Sequence, residues 1–183
     1  MANEILENME KKYNEKLEDN YSVLLKGKIR HLTADELKER IIKFLDEQKI
    51  CTLATCAHNI PRSTPVRYRS HGLTLYILTE GGGKVINIMK NHNVSASIMG
   101  EYSGFKSVTC LQLWGTAEVI EPRGGEKYEE ARKLMHLEER EDLKQIKVKN
   151  IRTEMYIIKI SVEKARFLSF PEGILNQTLI IKQ

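Results

Sequence analysis

Pro61-Arg62-Ser63-Thr64-Pro65-Val66-Arg67, and the run that answers it, Leu78-Thr79-Glu80-Gly81-Gly82-Gly83-Lys84, decide how the rest of this chain is read. The first puts two guanidinium groups and two hydroxyls on a predicted strand. The second ends a strand in a threonine and a glycine turn, then delivers a lysine at the start of an amphipathic helix. If the two strands pair through the turn Ser70-His71-Gly72, the cations converge on one place. A phosphate suits that arrangement, because Arg presents a planar fork and Lys a mobile point charge. A helix beginning near Lys84 adds free backbone N–H groups and the positive end of its dipole.

Spacing alone leaves a plainer alternative open. Arg62 and Arg67 can be solvated strand residues, Gly81 to Gly83 a loop, and Lys84 an ordinary helix starter. The two arginines are five apart, so an unbroken strand would point them to opposite faces. Pro65 cannot donate to a sheet ladder and predicts a bulge or an edge that brings them together. The glycine run lacks the G-x-G-x-x-G spacing of a dinucleotide site, and no Ser or Thr follows Lys84 as a Walker loop requires.

Working outward, 183 residues support one domain with a proper core plus extensions. A division at 1–32, a helical extension, and 33–183, a barrel domain, follows from the pattern below. With 41% hydrophobic and 30% charged residues, the composition is that of a globular protein with a well-charged surface. A net charge of +4 serves an anionic cofactor but is too small to indicate nucleic acid, which would need Lys and Arg clustered on one face. Cys51, Cys56 and Cys110 form no CxxC pair and read as reduced core thiols of a cytoplasmic protein. The histidines have no metal-ligand spacing, so no metal is expected. No apolar run approaches a bilayer span, and the charged N-terminus is not expected to act as a signal peptide.

Ile5, Met9, Tyr13 and Leu17 make a narrow apolar stripe on a first helix. Thr33-Ala34-Asp35-Glu36 is a capping box, with Leu32 and Leu37 placed for a hydrophobic staple. The helix it opens runs to about Gln48 and buries Leu37, Ile41, Phe44 and Leu45. Strands follow at Ile50 to Cys56 and Arg62 to Arg69, around a turn at His58-Asn59, and then at Leu73 to Leu78. A short helix from Lys84 to Asn91 buries Val85, Ile88 and Met89. Val94 to Gly100 and Ser107 to Ile120 are the next strands, the second bent or bulged at Gly115. Glu126 to about Leu143 is helical. Met155 to Ile160 and Ala165 to Phe170 read as two last strands joined by a turn near Glu163, with a short strand possible at Thr178 to Ile181. The class is α+β: an antiparallel six- to seven-stranded split β-barrel with flanking helices, since tight turns rule out parallel crossovers.

From Ile50 to Pro122 the chain resembles the pyridoxamine 5′-phosphate oxidase-like family of flavin-binding split barrels. The matching pieces, in order, are Cys51-Thr52-Leu53-Ala54-Thr55, Pro61 to Val66, Leu75-Tyr76-Ile77-Leu78-Thr79, Lys84-Val85-Ile86-Asn87-Ile88, Asn91-His92-Asn93-Val94-Ser95 and Leu113 to Val119. The resemblance implies FMN, with its phosphate held by Arg62, Arg67 and Lys84. It implies that Ser63, Thr64, Pro65, Val66, Thr79 and Gly83 line the cofactor, and that the flavin sits at the interface of a homodimer.

Departures narrow the activity. Gly82-Gly83 stands where relatives often carry Ser-Arg or Ser-x before the lysine, and Cys110 stands at a family glutamine, for which Gln112 on the same strand face is the candidate substitute. The chain after Val162 lacks the oxidases' Trp-rich end and Arg-Leu-His-type substrate motif, so pyridoxamine phosphate oxidation is not expected. No residue is identified as a general acid or base; a bound flavin would carry the chemistry. The reading is an FMN-dependent reductase or oxidase on an unidentified small molecule. A non-enzymatic flavin binder, or a deazaflavin- or haem-binding relative, remains open.

Overall fold

The computed structural model describes residues 28–122, 125–137 and 155–181, together with isolated residues of the first 27. Helix α1 (Ala34–Glu47) opens on the expected capping box: Thr33 accepts from the Glu36 amide, and the Glu36 carboxylate reaches back to the Thr33 amide at 2.8 Å. Leu37, Ile41, Phe44 and Leu45 fall on one face at helical spacing and all four are buried.

Strands β1 (Ile50–Ala57) and β2 (Ile60–Arg67) form a hairpin closed by His58 and Asn59, both at positive φ (51° and 60°). Such a pair matches the right-handed twist of its flanking strands. The β1–β2 register runs unshifted from Ile50↔Arg67 to Ala57↔Ile60, so Pro65 makes no bulge. It sits instead on the outer strand of the sheet, the other site that tolerates a missing N–H.

Only Tyr68 separates β2 from β3 (Arg69–His71), which turns at Gly72 and Leu73 into β4 (Thr74–Thr79). The expected second strand is therefore divided, its first part pairing with β1 and its last part with β4. Helix α2 (Gly83–Lys90) follows, then β5 (Asn93–Met99), β6 (Thr109–Ile120), α3 (Glu126–Leu134), β7 (Tyr156–Ser169) and β8 (Ile174–Ile180). Along the sheet the order is β2-β1-β5-β6-β7-β4-β3, with β8 beside β7, and among the described residues every pairing is antiparallel. The two ends of that order, β2 and β3, are joined by one residue, which curls the sheet into a split barrel of α+β class.

The expected turn near Glu163 is absent. β7 is one strand of 14 residues whose first part pairs with β4 and whose second part pairs with β8. Opposite it, the register on β6 slips between Trp114 and Gly115, leaving Glu163 as the extra residue between Lys164 and Val162. The bulge expected at Gly115 is thus real, and its partner strand absorbs what looks like a turn. A Cβ at Gly115 would meet the Ser161 carbonyl oxygen at 2.0 Å, so only glycine fits this corner.

Inside the barrel, Leu53, Leu75, Ile77, Ile98, Leu111, Leu113, Ile160 and Phe167 pack with the buried face of α1 and with Val85 and Ile88 of α2. Met89, expected inside, is 51% exposed, because the short helix turns it away from the barrel. Outside, α3 covers β4 and β7 through Tyr128, Ala131, Tyr76 and Ile157. Ile5, Met9 and Tyr13 have helical backbone but exposed side chains, and Leu17 lies outside the described residues. So do residues 138–143 of the expected third long helix.

Candidate functional site

Thr55 explains why a strand and a helix distant in sequence meet. It is buried on β1, pairs across the ladder with Arg62 of β2, and accepts from the Asn87 side chain of α2 at 3.2 Å. Asn91 adds a second tie, donating to the Cys56 carbonyl at 3.1 Å. Strand β2 and the helix that carries Lys84 are thereby held to the same stretch of β1.

The consequence is close approach of two cations. A Cβ built on Gly83 would lie 2.7 Å from the Arg62 guanidinium, so that group occupies the space a side chain at 83 would take. Lys84 follows immediately. Its ammonium is held below the usual lysine range, first by burial and then by the Arg62 charge, with Glu80 opposing. Lys84 Nζ donates to the Gly81 carbonyl at 3.0 Å. Thr79, buried at the end of β4, accepts from the Gly81 amide at 3.3 Å and shapes the loop.

Gly81 and Gly82 have φ of 115° and 83°, where any side chain is strained, which is why glycines precede this helix. Gly82 caps α2 with no side-chain hydrogen bond, and its carbonyl takes the amides of Val85 and Ile86. The amides of Gly83 and Lys84 thus precede the helical ladder, at the positive end of the dipole.

Beside these groups lies a cleft of about 530 Å³ lined by Val66, Arg67, Thr79, Glu80, Gly82, Lys84 and Met155, among others. Four expected site residues, Val66, Arg67, Thr79 and Lys84, share it, while Arg62 and Gly83 adjoin it through Lys84. Arg67 reaches it from the end of β2, where the chain turns into Tyr68, so no bulge is needed to bring the arginines to one neighbourhood. Ser63 and Pro65 are exposed and Thr64 half-buried, all outside this lining.

The donor set fits a phosphate ester: two cations beside uncapped helix amides, and a third at the rim. Three residues in or beside the cleft were not among the expected site residues. Glu80 stands inside the decisive run, between Thr79 and Gly81. Met155 and Tyr156 come from β7, and Tyr156 pairs with Thr79 and lies 3.5 Å from a Cβ placed on Gly81. Nothing local marks those two. Among the described residues, no group of three His, Cys, Asp or Glu could hold a metal ion.

A family model described as pyridoxamine 5′-phosphate oxidase matches residues 37–169, from within α1 to the end of β7. The chain belongs to this family. Among solved structures, general stress protein 26 of Bacillus anthracis is 17% identical with a TM-score of 0.56, covering 79% of this chain and 98% of its own. A protein from Mesorhizobium loti described as FAD-binding is 18% identical with a TM-score of 0.56, covering 74% and 94%. A heme binding protein of Mycobacterium smegmatis is 18% identical with a TM-score of 0.57, covering 82% and 58%. These likenesses show the fold. No curated protein matches the chain.

In this member of the pyridoxamine 5′-phosphate oxidase family, Gln112 stands apart from the cleft. It is exposed on the outer face of β6, paired with Ser97 of β5 and Arg166 of β7. The same face carries Thr52, Pro65 and Trp114, the last with the Lys164 ammonium 5.2 Å and the Arg166 guanidinium 5.8 Å from its ring centroid. Within one chain, the structure does not bring Gln112 to Lys84.

Proposed function

We propose that this protein binds FMN and works as a flavin-dependent oxidoreductase on a small molecule. The observation that carries the reading is the meeting of Arg62 and Lys84 at the uncapped start of α2, beside the cleft that Arg67 and Thr79 line. Two adjacent cations at the positive end of a helix repel one another, and a phosphate monoester, close to a dianion at neutral pH, relieves that repulsion. Arg62 and Lys84 would hold the phosphate and Arg67 would close its outer side. Val66, Thr79 and the edge-strand residues Ser63, Thr64 and Pro65 would flank the ribityl chain and ring. When bound, the flavin supplies the electron transfer, and this chain's part is binding, orientation and electrostatics.

The reading extends to a homodimer. α3 covers the outer face at β4 and β7, whereas the outer face of β2, β1, β5 and β6 presents Pro65, Thr52, Ser97 and Gln112 with no described element over it. A second copy on that face would bring its Gln112 and Trp114 toward the first copy's cofactor. The three free cysteines support a reducing, cytoplasmic setting for the barrel, 33–183, and its extension, 1–32. No described helix is long and apolar enough to cross a membrane. The visible spectrum of the purified protein, and of the apoprotein titrated with FMN, tests the reading. A flavin band near stoichiometry supports it; a haem Soret band, or no uptake of FMN, overturns it.

A further inference from the structure

We infer that Gly83 is the position that decides how tightly the phosphate end of the ligand is held, because its missing side chain leaves the space in which the Arg62 guanidinium lies. This rests on the FMN reading above and goes further, assigning the role to a residue that offers no functional group of its own.

Three guanidinium atoms of Arg62, Cζ, Nε and Nη2, would each lie 2.7 Å from a Cβ at position 83, closer than real Cβ contacts come. The neighbour that must give way is the far end of an exposed side chain. A substitution would therefore be accommodated by moving Arg62, leaving the backbone where it is. Gly83 is not among the glycines at positive φ and is the first residue of α2, so its backbone makes no demand for glycine. Alanine is the better helix former there. The glycine is thus unexplained by local conformation, unlike Gly81 and Gly82, and is explained by Arg62.

What the guanidinium gains by lying there is a position over the first turn of α2, next to Lys84. Without a ligand that position is unfavourable, since it sets one cation against another and against the helix dipole. An anion with two charges gains from all three at once. A terminal phosphate monoester meets that description better than a neutral ribityl hydroxyl does. Gly83 should accordingly govern the contribution of the phosphate and leave the ring and ribityl contacts untouched.

The test is a double-mutant cycle of Gly83→Ala and Arg62→Ala, with dissociation constants measured for FMN and for riboflavin, which lacks the phosphate. We expect each single variant to bind FMN about tenfold more weakly, the loss of one charge-assisted contact, with riboflavin affinity unchanged. The double variant should be no worse than Arg62→Ala, because Gly83→Ala acts only by displacing Arg62. That background also serves as the folding control, since a general defect of Gly83→Ala would persist in it. If Arg62→Ala weakens FMN binding while Gly83→Ala does not, or if the two losses multiply, the role of Gly83 is overturned and the phosphate reading survives. If neither Arg62→Ala nor Lys84→Ala distinguishes FMN from riboflavin, the phosphate reading itself fails.

Discussion

The Tyr68 hydroxyl donates to the Leu45 carbonyl at 2.9 Å, and this bond ties the residue that joins the two ends of the sheet to the last turn of α1. Tyr68 is 1% exposed, and burial, with the Cys51 and Asp46 groups adding, raises its phenol well above the usual tyrosine range. Leu45 offers one of the carbonyls that a helix end leaves without an intrahelical donor. Tyr68→Phe removes the donor and leaves that acceptor buried. We expect a loss of about 1–2 kcal/mol in urea unfolding, with the fold retained.

Lys84→Ala removes one charge-assisted contact to the proposed phosphate. FMN affinity should fall about 10- to 100-fold while riboflavin affinity holds. Added salt should weaken FMN binding by the wild type more than by the variant, because the cleft opens to solvent. Equal losses for both ligands would show that the substitution disturbed the fold.

If the outer face of β1 and β5 is where two copies meet, Ser97→Arg places a charge in the middle of it. Light scattering at micromolar concentration should give a dimer mass for the wild type and a monomer mass for the variant. A monomeric wild type would sink the homodimer.

Glu172 accepts from Arg40 through Nε at 3.0 and 2.9 Å and through Nη2 at 2.7 Å, and from the Ser169 hydroxyl at 3.0 Å. The Arg40 hydrogen bonds, against some desolvation, hold its carboxyl below the usual range. A carboxyl depressed in the folded state stabilises above its unfolded pKa, and that stability is lost as pH falls through the folded value. Because the pair is partly open to solvent, Glu172→Gln should cost only about 1 kcal/mol at pH 7. Below the carboxylate range, unfolding curves of the variant and the wild type should converge. A variant deficit that persists unchanged at pH 3 would refute the pairing as its cause.

Cys51 is buried at 1% exposure, and desolvation pushes its thiol up to about 12. Cys56 and Cys110 are only partly covered. A thiol reagent at pH 8 should therefore spare Cys51 in the native protein and label it only after denaturation. Mass spectrometry of the labelled peptides decides this.

Local chemistry was legible in the sequence, and long-range register was not. The capping box at Thr33 and Glu36 and the turn at His58 and Asn59 are decided by residues a few positions apart, and the sequence pointed to both. The division of the Tyr156–Ser169 strand was misread because Glu163-Lys164 has the polarity of a turn. Only pairing with Trp114 and Gly115, some 50 residues away, shows it to be a bulge. At the site, Lys84 and Arg62 were recognisable as cations flanking a glycine loop. Of the two alternatives that Pro65 offered, a bulge or an edge, the unshifted register selects the edge. Strand parity placed Gln112 with Cys110, and the structure agrees, but parity cannot say which face is outside.

That edge has one more consequence. Pro61 and Pro65 stand opposite Cys56 and Thr52, positions whose backbone nitrogen faces away from β1. Along the free side of β2 two of three consecutive donors are therefore missing, those on either side of Ser63. A strand from another molecule would find no ladder to zip onto, so the long, exposed margin beside the site is protected from runaway sheet extension and amyloid-like stacking. The barrel can leave this margin open to a ligand without inviting a polymer.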